Sequence, residues 1–97
     1  MTSIVWSPEA LSDLQAIHTY VSADSARYAD LVVRRIVAAV EQLGRYPESG
    51  RIVPERDDRA LREVIVAPHR VVYRTRESLV EVVTVFRSSR QFPKQVI

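Results

Sequence analysis

Arginine is the residue type in this chain best equipped for chemistry. Thirteen of the fourteen basic side chains are Arg, and six stand in one valine-rich stretch, at Arg62, Arg70, Arg74, Arg76, Arg87 and Arg90. A guanidinium is a planar, permanently charged fork of donors that matches phosphate, carboxylate and base edges. Two kinds of chemistry follow. Cleavage of RNA through its own 2′-OH needs a base for that proton, cations for the developing phosphorane charge and a donor for the leaving oxygen. Arg62, Arg70, Arg87 and Arg90 are candidate cations, Glu55 or Glu63 a candidate base, and His69 a candidate acid or base. Alternatively the arginines only recognise a target, and Arg62, Arg70, Arg74, Arg87 and Arg90 are then the recognition set. Glu63, like Glu81, reads better as a cross-strand partner of arginine, and His69 as a turn residue before the strand at 70–75. Arg87 and Arg90 are the two least explained by folding, because an exposed ion pair contributes only about 0–1 kcal/mol.

Other chemistries find little support. There is no phosphate-binding Walker loop, no dinucleotide glycine pattern and no His-Glu-x-x-His. No serine sits on a nucleophile-elbow sequence. Cysteine is absent, which removes disulfides and thiolate ligands or nucleophiles. His18 and His69 are the only histidines, so neither a metal site nor a cofactor is expected. Charge is uneven along the chain. Residues 1–50 hold four basic and six acidic side chains, whereas residues 51–97 hold ten basic and six acidic. A basic half suggests a nucleic-acid or acidic-protein partner. The opening Met1-Thr-Ser-Ile-Val-Trp6 is too short and lacks the basic start of a secretory leader. No stretch approaches the roughly 20 apolar residues of a membrane span. A cytoplasmic protein with no membrane partner is expected.

The elements that must position the arginines follow from periodicity. Residues 4–6 are a short strand. Ser7-Pro8-Glu9 is a helix start: a capping hydroxyl, a proline suited to the first position and an acid at the positive end of the dipole. Ala10, Leu14, Ile17 and Val21 form an apolar stripe flanked by Leu11 and His18, which predicts a helix over 8–21. Ser25 opens a second helix over 26–43, with Ala29, Val32, Val33, Ile36, Ala39, Val40 and Leu43 as its broad apolar face. Asp30 and Arg34 stand four apart and are expected to pair, and Gly44 to end the helix in a left-handed conformation. Residues 45–51 are rich in turn formers, and 51–60, dense in charge, are expected to be exposed and mobile. Strands follow at 61–66, 70–75 and 79–87.

If Glu77-Ser78 is a two-residue tip, Tyr73 faces Val82 and Arg74 faces Glu81. Alternation then puts Val71, Tyr73, Val80, Val82, Thr84 and Phe86 under the helices. Arg70, Val72, Arg74, Glu81, Val83, Val85 and Arg87 share the other face, as a groove for another chain. The expected fold is α+β, one domain over 1–97. An antiparallel helix hairpin packs on one face of a mainly antiparallel sheet whose last three strands form a meander. The first strand lies at an edge or beside one of the last two strands.

Several segments resemble the RelE/ParE superfamily of bacterial toxins. Trp6-Ser-Pro-Glu-Ala-Leu-Ser-Asp-Leu14 is similar to that family's opening, and Tyr46-Pro-Glu-Ser-Gly-Arg51 to the segment after its second helix. Arg62-Glu63 with His69-Arg70-Val-Val-Tyr73-Arg74 resembles its central strand pair, with His69 in place of the usual tyrosine. Val82-Val-Thr-Val85 and Arg87-Ser-Ser-Arg90 resemble its last strand and basic tail. The resemblance implies the toxin of a type II toxin–antitoxin pair, with a cognate ParD-like antitoxin wrapping the helix hairpin and sheet. Leu11, Leu14, His18, Tyr28, Val32, Val72 and Val83 are the contacts expected on that basis. It implies one of two targets: DNA gyrase, bound without catalysis by ParE-like members, or the ribosome, where RelE-like members cut mRNA. The strands here lack the lysines of the ribonucleases, and Arg87 stands where many relatives have histidine, so the ParE-like reading is favoured. A non-toxic module that only binds an antitoxin is the third possibility.

Overall fold

The computed structural model describes residues 2–93. Seven elements follow in order: β1 (Ser3–Trp6), α1 (Pro8–Ser22), α2 (Ala26–Gln42), β2 (Arg51–Ile52), β3 (Leu61–Val66), β4 (His69–Arg76) and β5 (Leu79–Arg87). The five strands make one sheet in the order β1-β5-β4-β3-β2, antiparallel except for β1, which runs parallel to β5 at the edge. The meander of the last three strands and the edge position of the first match expectation.

Both helices begin as their sequences dictate. The Ser7 hydroxyl accepts from the Ala10 N–H at 3.0 Å, with Pro8 at the first helical position, and Ser25 does the same for Tyr28 at 3.1 Å. Each cap satisfies a backbone donor that the first turn leaves without a partner. Ala10 on α1 and Val32, Ile36 and Val40 on α2 bury their side chains against Val71, Val82 and Val85 of the sheet, with Leu14 and Ile17 packed around them. Here α1 lies over β5 and α2 over β3. The second helix does not end as its glycine predicted. Leu43 is right-handed and no glycine has positive φ among the described residues. Gly44 instead answers a close approach: a Cβ there would stand 3.3 Å from the Glu41 carbonyl and 3.5 Å from Ile4 Cδ1. Asp30 pairs across the hairpin with His18 at 2.7 Å, in place of the expected Arg34.

The sheet departs from simple alternation at one point. Glu77-Ser78 is the two-residue tip, and Tyr73 faces Val82 and Arg74 faces Glu81 as expected. Beyond them a β-bulge intervenes: Val72 faces Thr84, so Val83 is an extra residue. One extra residue reverses the faces of everything after it. Val85 therefore joins the helix-side core, and Phe86 moves to the opposite side with Val72 and Val83. That opposite side is not an open groove. Val53, Leu61 and Phe92 pack on it, and Val53 and Leu61 have no exposed surface. The segment expected to be exposed thus contributes an edge strand, β2, and a buried valine beneath a lid of charged residues.

Candidate functional site

The arginines fall into two groups, those tied into the fold and those left in solvent. Arg70 is the most tied. Its side chain is only 10% exposed. Its Nε donates to Glu63 Oε1 at 2.6 Å, and its two terminal nitrogens donate to the two Glu55 oxygens at 2.9 and 2.7 Å. Phe86 and Phe92 bracket the guanidinium, with ring centroids 5.1 and 5.4 Å from its carbon. Glu63 is wholly buried on β3. Its second oxygen accepts from Arg51 Nε on β2, at 2.5 Å, where register places the two residues opposite each other. A buried charge is tolerated when it is paired and hydrogen-bonded, and the chain Arg51–Glu63–Arg70–Glu55 meets that condition. Glu55 and Glu63, in that order of effect, raise the Arg70 pKa, and the Arg70 hydrogen bonds hold the Glu55 carboxyl below the usual carboxylate range.

Arg62 and Arg74 are also engaged. One terminal nitrogen of Arg62 donates to the Glu48 and Gly50 carbonyls at 3.2 and 2.9 Å, and its Nε is buried with no partner among the described residues. Tyr73, across the sheet from Arg62, completes that anchor: its hydroxyl donates to the Pro47 carbonyl at 2.8 Å and accepts from the Gly50 N–H at 3.0 Å. Burial pushes the Tyr73 hydroxyl pKa up. A Cβ at Gly50 would come within 2.6 Å of that hydroxyl, which explains the glycine. Arg74 bonds Asp58 at 3.1 Å, although Glu81 stands opposite it in register.

Arg87 and Arg90 differ. Both are exposed, at and just beyond the end of β5. Arg90 borders two hollows. One, of about 400 Å³, lies beside Glu55, Arg56, Arg70 and Phe92. The other, of about 120 Å³, lies between Asp13, Ala16 and Ile17 of α1 and the end of β5, where Arg87 also reaches. His69 faces Arg87 in register but is buried, with its Nδ1 unpartnered among the described residues, and burial foremost, then the Arg87 charge, lowers its pKa. The expected acid–base set is brought together only in part: Glu55, Arg70 and Arg90 border one hollow, with Glu55 bound to Arg70, whereas His69 is inside and Arg62 holds a loop.

The apolar candidates also divide. Leu11 and Tyr28 are exposed on the helix hairpin, 54% and 49%, as is Tyr20 at 72%. Leu14 and His18 are half-buried. Val32 lies in the helix-side core, and Val72 and Val83 in the second core under Val53 and Phe92, so these three offer no surface to another chain in this conformation.

Sequence reasoning missed Asp13 and the second role of Ser7. One Asp13 oxygen accepts from the Thr84 hydroxyl at 2.6 Å and the Val85 N–H at 2.9 Å, while the Ser7 hydroxyl donates to the Val83 carbonyl at 2.9 Å. Together they clamp the bulge to α1. It also missed Phe92, whose signal was an aromatic residue two positions beyond Arg90 in a charged tail.

Comparison with known proteins agrees with this architecture. A family model described as the ParE toxin of type II toxin–antitoxin systems matches residues 4–92. Toxin RelE2 of Caulobacter vibrioides is 34% identical over 91 residues, covering 93% of this chain and 99% of that protein. The protein Y4kP of Sinorhizobium fredii is 38% identical over 93 residues, covering 94% and 93%. Among solved structures, a chain of the chromosomal ParDE system from P. aeruginosa superposes with a TM-score of 0.74 at 24% identity, over 90% of this chain and 96% of that one, a likeness of fold. The family match along nearly the whole chain, together with a relative 34% identical over 93% of it, places this protein in the ParE toxin family of type II toxin–antitoxin systems.

Proposed function

We propose that this toxin acts by binding DNA gyrase, without catalysis of its own, and is neutralised by a cognate ParD-like antitoxin. The observation that supports a binding mode is the state of the acid–base candidates. In the free chain Glu55 is held by Arg70 at 2.7 and 2.9 Å, and Glu63 and His69 are buried, so none of the three expected bases stands unengaged in solvent beside Arg87 and Arg90. Those two exposed arginines are the target-facing cations of this reading. Leu11 and Tyr28, with half-buried Leu14 and His18 beside them, are its antitoxin-facing patch: an amphipathic segment from the partner covers apolar side chains that are otherwise in water. The test is supercoiling of relaxed plasmid by gyrase in the presence of purified toxin. Blocked supercoiling or trapped cleaved DNA is expected, and the Arg87→Ala, Arg90→Ala double variant should relieve it. Normal supercoiling at large molar excess would overturn the reading.

The second reading, a ribosome-dependent mRNA endoribonuclease, is favoured by the name of one relative, Toxin RelE2. It predicts cuts in the A-site codon of a translated message, seen by primer extension, and their loss in Arg87→Ala. Growth arrest of neither kind after expression without an antitoxin would leave an antitoxin-binding module.

A further inference from the structure

The cavity of about 400 Å³ at the end of β5 holds an unusual arrangement. Its lining includes Arg56, Arg70 and Arg90 with Ser88, Gln91 and Phe92, and Glu55 is the one acidic residue among the described residues that line it. That carboxylate lies across the outer two nitrogens of Arg70 in a two-bond fork. The two acids on Arg70 are not equivalent. Glu63 is inaccessible, at 0% side-chain exposure, and is shared with Arg51 on the neighbouring strand. Glu55 is 39% exposed on the loop between β2 and β3, where solvent weakens its hold. Arg70 itself is fixed by Glu63 and by the two aromatic rings, so its outer nitrogens keep their direction if Glu55 leaves. A guanidinium so deeply placed cannot lose its proton and needs an anion. Among the described residues, neither Arg56 nor Arg90 forms an ion pair. The Arg56 guanidinium lies over Phe92, 5.1 Å from the ring centre, on the same wall.

We infer that Arg70, Arg56 and Arg90 form a binding site for a phosphate group, and that Glu55 occupies its seat in the free chain as a tethered, exchangeable stand-in. A phosphate matches the planar fork as a carboxylate does, and it carries a third oxygen and more charge for the two flanking arginines. The site is independent of whether gyrase or the ribosome is the target. Since Glu55 competes from within the chain, it weakens phosphate binding as a tethered ligand does, by its effective concentration, in the millimolar range for a short flexible tether.

The test uses the full chain and inorganic phosphate, with binding followed by calorimetry and by the Arg70 Nε–H signal in nitrogen–proton spectra. Glu55→Ala should bind phosphate about tenfold more tightly than wild type, and adding Arg90→Ala should reverse most of that gain. Equal affinity of wild type and Glu55→Ala, or a gain indifferent to Arg90, overturns the inference. Should Glu55→Ala fail to fold, wild type decides. Saturating phosphate should move both the Arg70 Nε–H and the Glu55 carboxyl carbon signals, and unmoved signals overturn it. A parallel titration with a single-stranded oligothymidine separates the sources. Tighter binding than free phosphate assigns the seat to a nucleic-acid backbone, and equal or weaker binding to a small phosphate ligand.

Discussion

At the scale of single residues, the decisive feature is that three of the five candidate arginines, Arg62, Arg70 and Arg74, serve the fold before they serve a target. Glu63 shows this best. It neutralises Arg70 in the interior, and its removal leaves a guanidinium that is 10% exposed with one of its two counter-charges gone. Breaking one side of a buried pair costs about 3–5 kcal/mol. Glu63→Ala should lose that much in urea unfolding, whereas Arg74→Ala, which breaks only the more exposed pair with Asp58, should lose no more than about 1 kcal/mol. His69 makes a second prediction. Its folded pKa lies below the ordinary 6.5, so the unfolded chain takes up a proton more readily than the folded one. Stability is then full well above pH 6.5 and declines as pH falls through that value. A further loss begins below about 4.5, the ordinary pKa of Glu55, whose folded value is also depressed. Denaturant midpoints of wild type should fall between pH 7.5 and pH 5.5. In His69→Phe the fall over that interval should shrink, and the loss below pH 4.5 should persist.

At the scale of elements, the bulge at Val83 fixes which residues of β5 face the helices. Asp13 accepts hydrogen bonds from Thr84 and Val85 just after the bulge, and Ser7 donates to the carbonyl of the bulged Val83 itself. Bonds to a charged acceptor contribute about 1.5–3 kcal/mol. Asp13→Ala should therefore lower stability by about that amount and speed exchange of the Val85 amide more than that of Val80. This clamp also explains what was legible in the sequence. Ser7-Pro8-Glu9 and the valine-rich strands carry their structure in local pattern, so both helices, the meander and the Tyr73–Val82 register could be read directly. The bulge could not, because its cause sits more than 70 residues away in α1. The short β2 was hidden likewise: two residues hold no period, and Arg51 becomes a strand residue through its bond to Glu63. At the site, the sequence located the arginines and Glu63 as a cross-strand partner of arginine, but not the partners that come from the loops. Which of them stayed in solvent was settled by carboxylates and carbonyls brought in from the loops at 48–50 and 55–58.

At the scale of the whole molecule, the fold is a slab of 39 × 29 × 21 Å with helices on one face and a loop-covered core on the other. The exposed apolar side chains Leu11, Tyr20 and Tyr28 belong to the helix hairpin, and the exposed cations Arg87 and Arg90 to the end of β5. The proposed antitoxin and target surfaces therefore draw on different elements. A chain of this size buries a modest fraction of its surface, so a bound partner adds visibly to its stability. A partner at about one hundred times its dissociation constant adds about 2.7 kcal/mol. Leu11→Glu and Tyr28→Glu change side chains already in water, and the free chain should keep its melting behaviour to within about 0.5 kcal/mol. If the hairpin is the docking surface, those variants should lose most of the antitoxin-induced rise in melting temperature, because a charge on the apolar face is buried without a partner in the complex. Arg87→Ala should keep the rise. A rise unchanged in Leu11→Glu and Tyr28→Glu would move the antitoxin off the hairpin, and a rise lost in Arg87→Ala would mean that antitoxin and target share the end of β5.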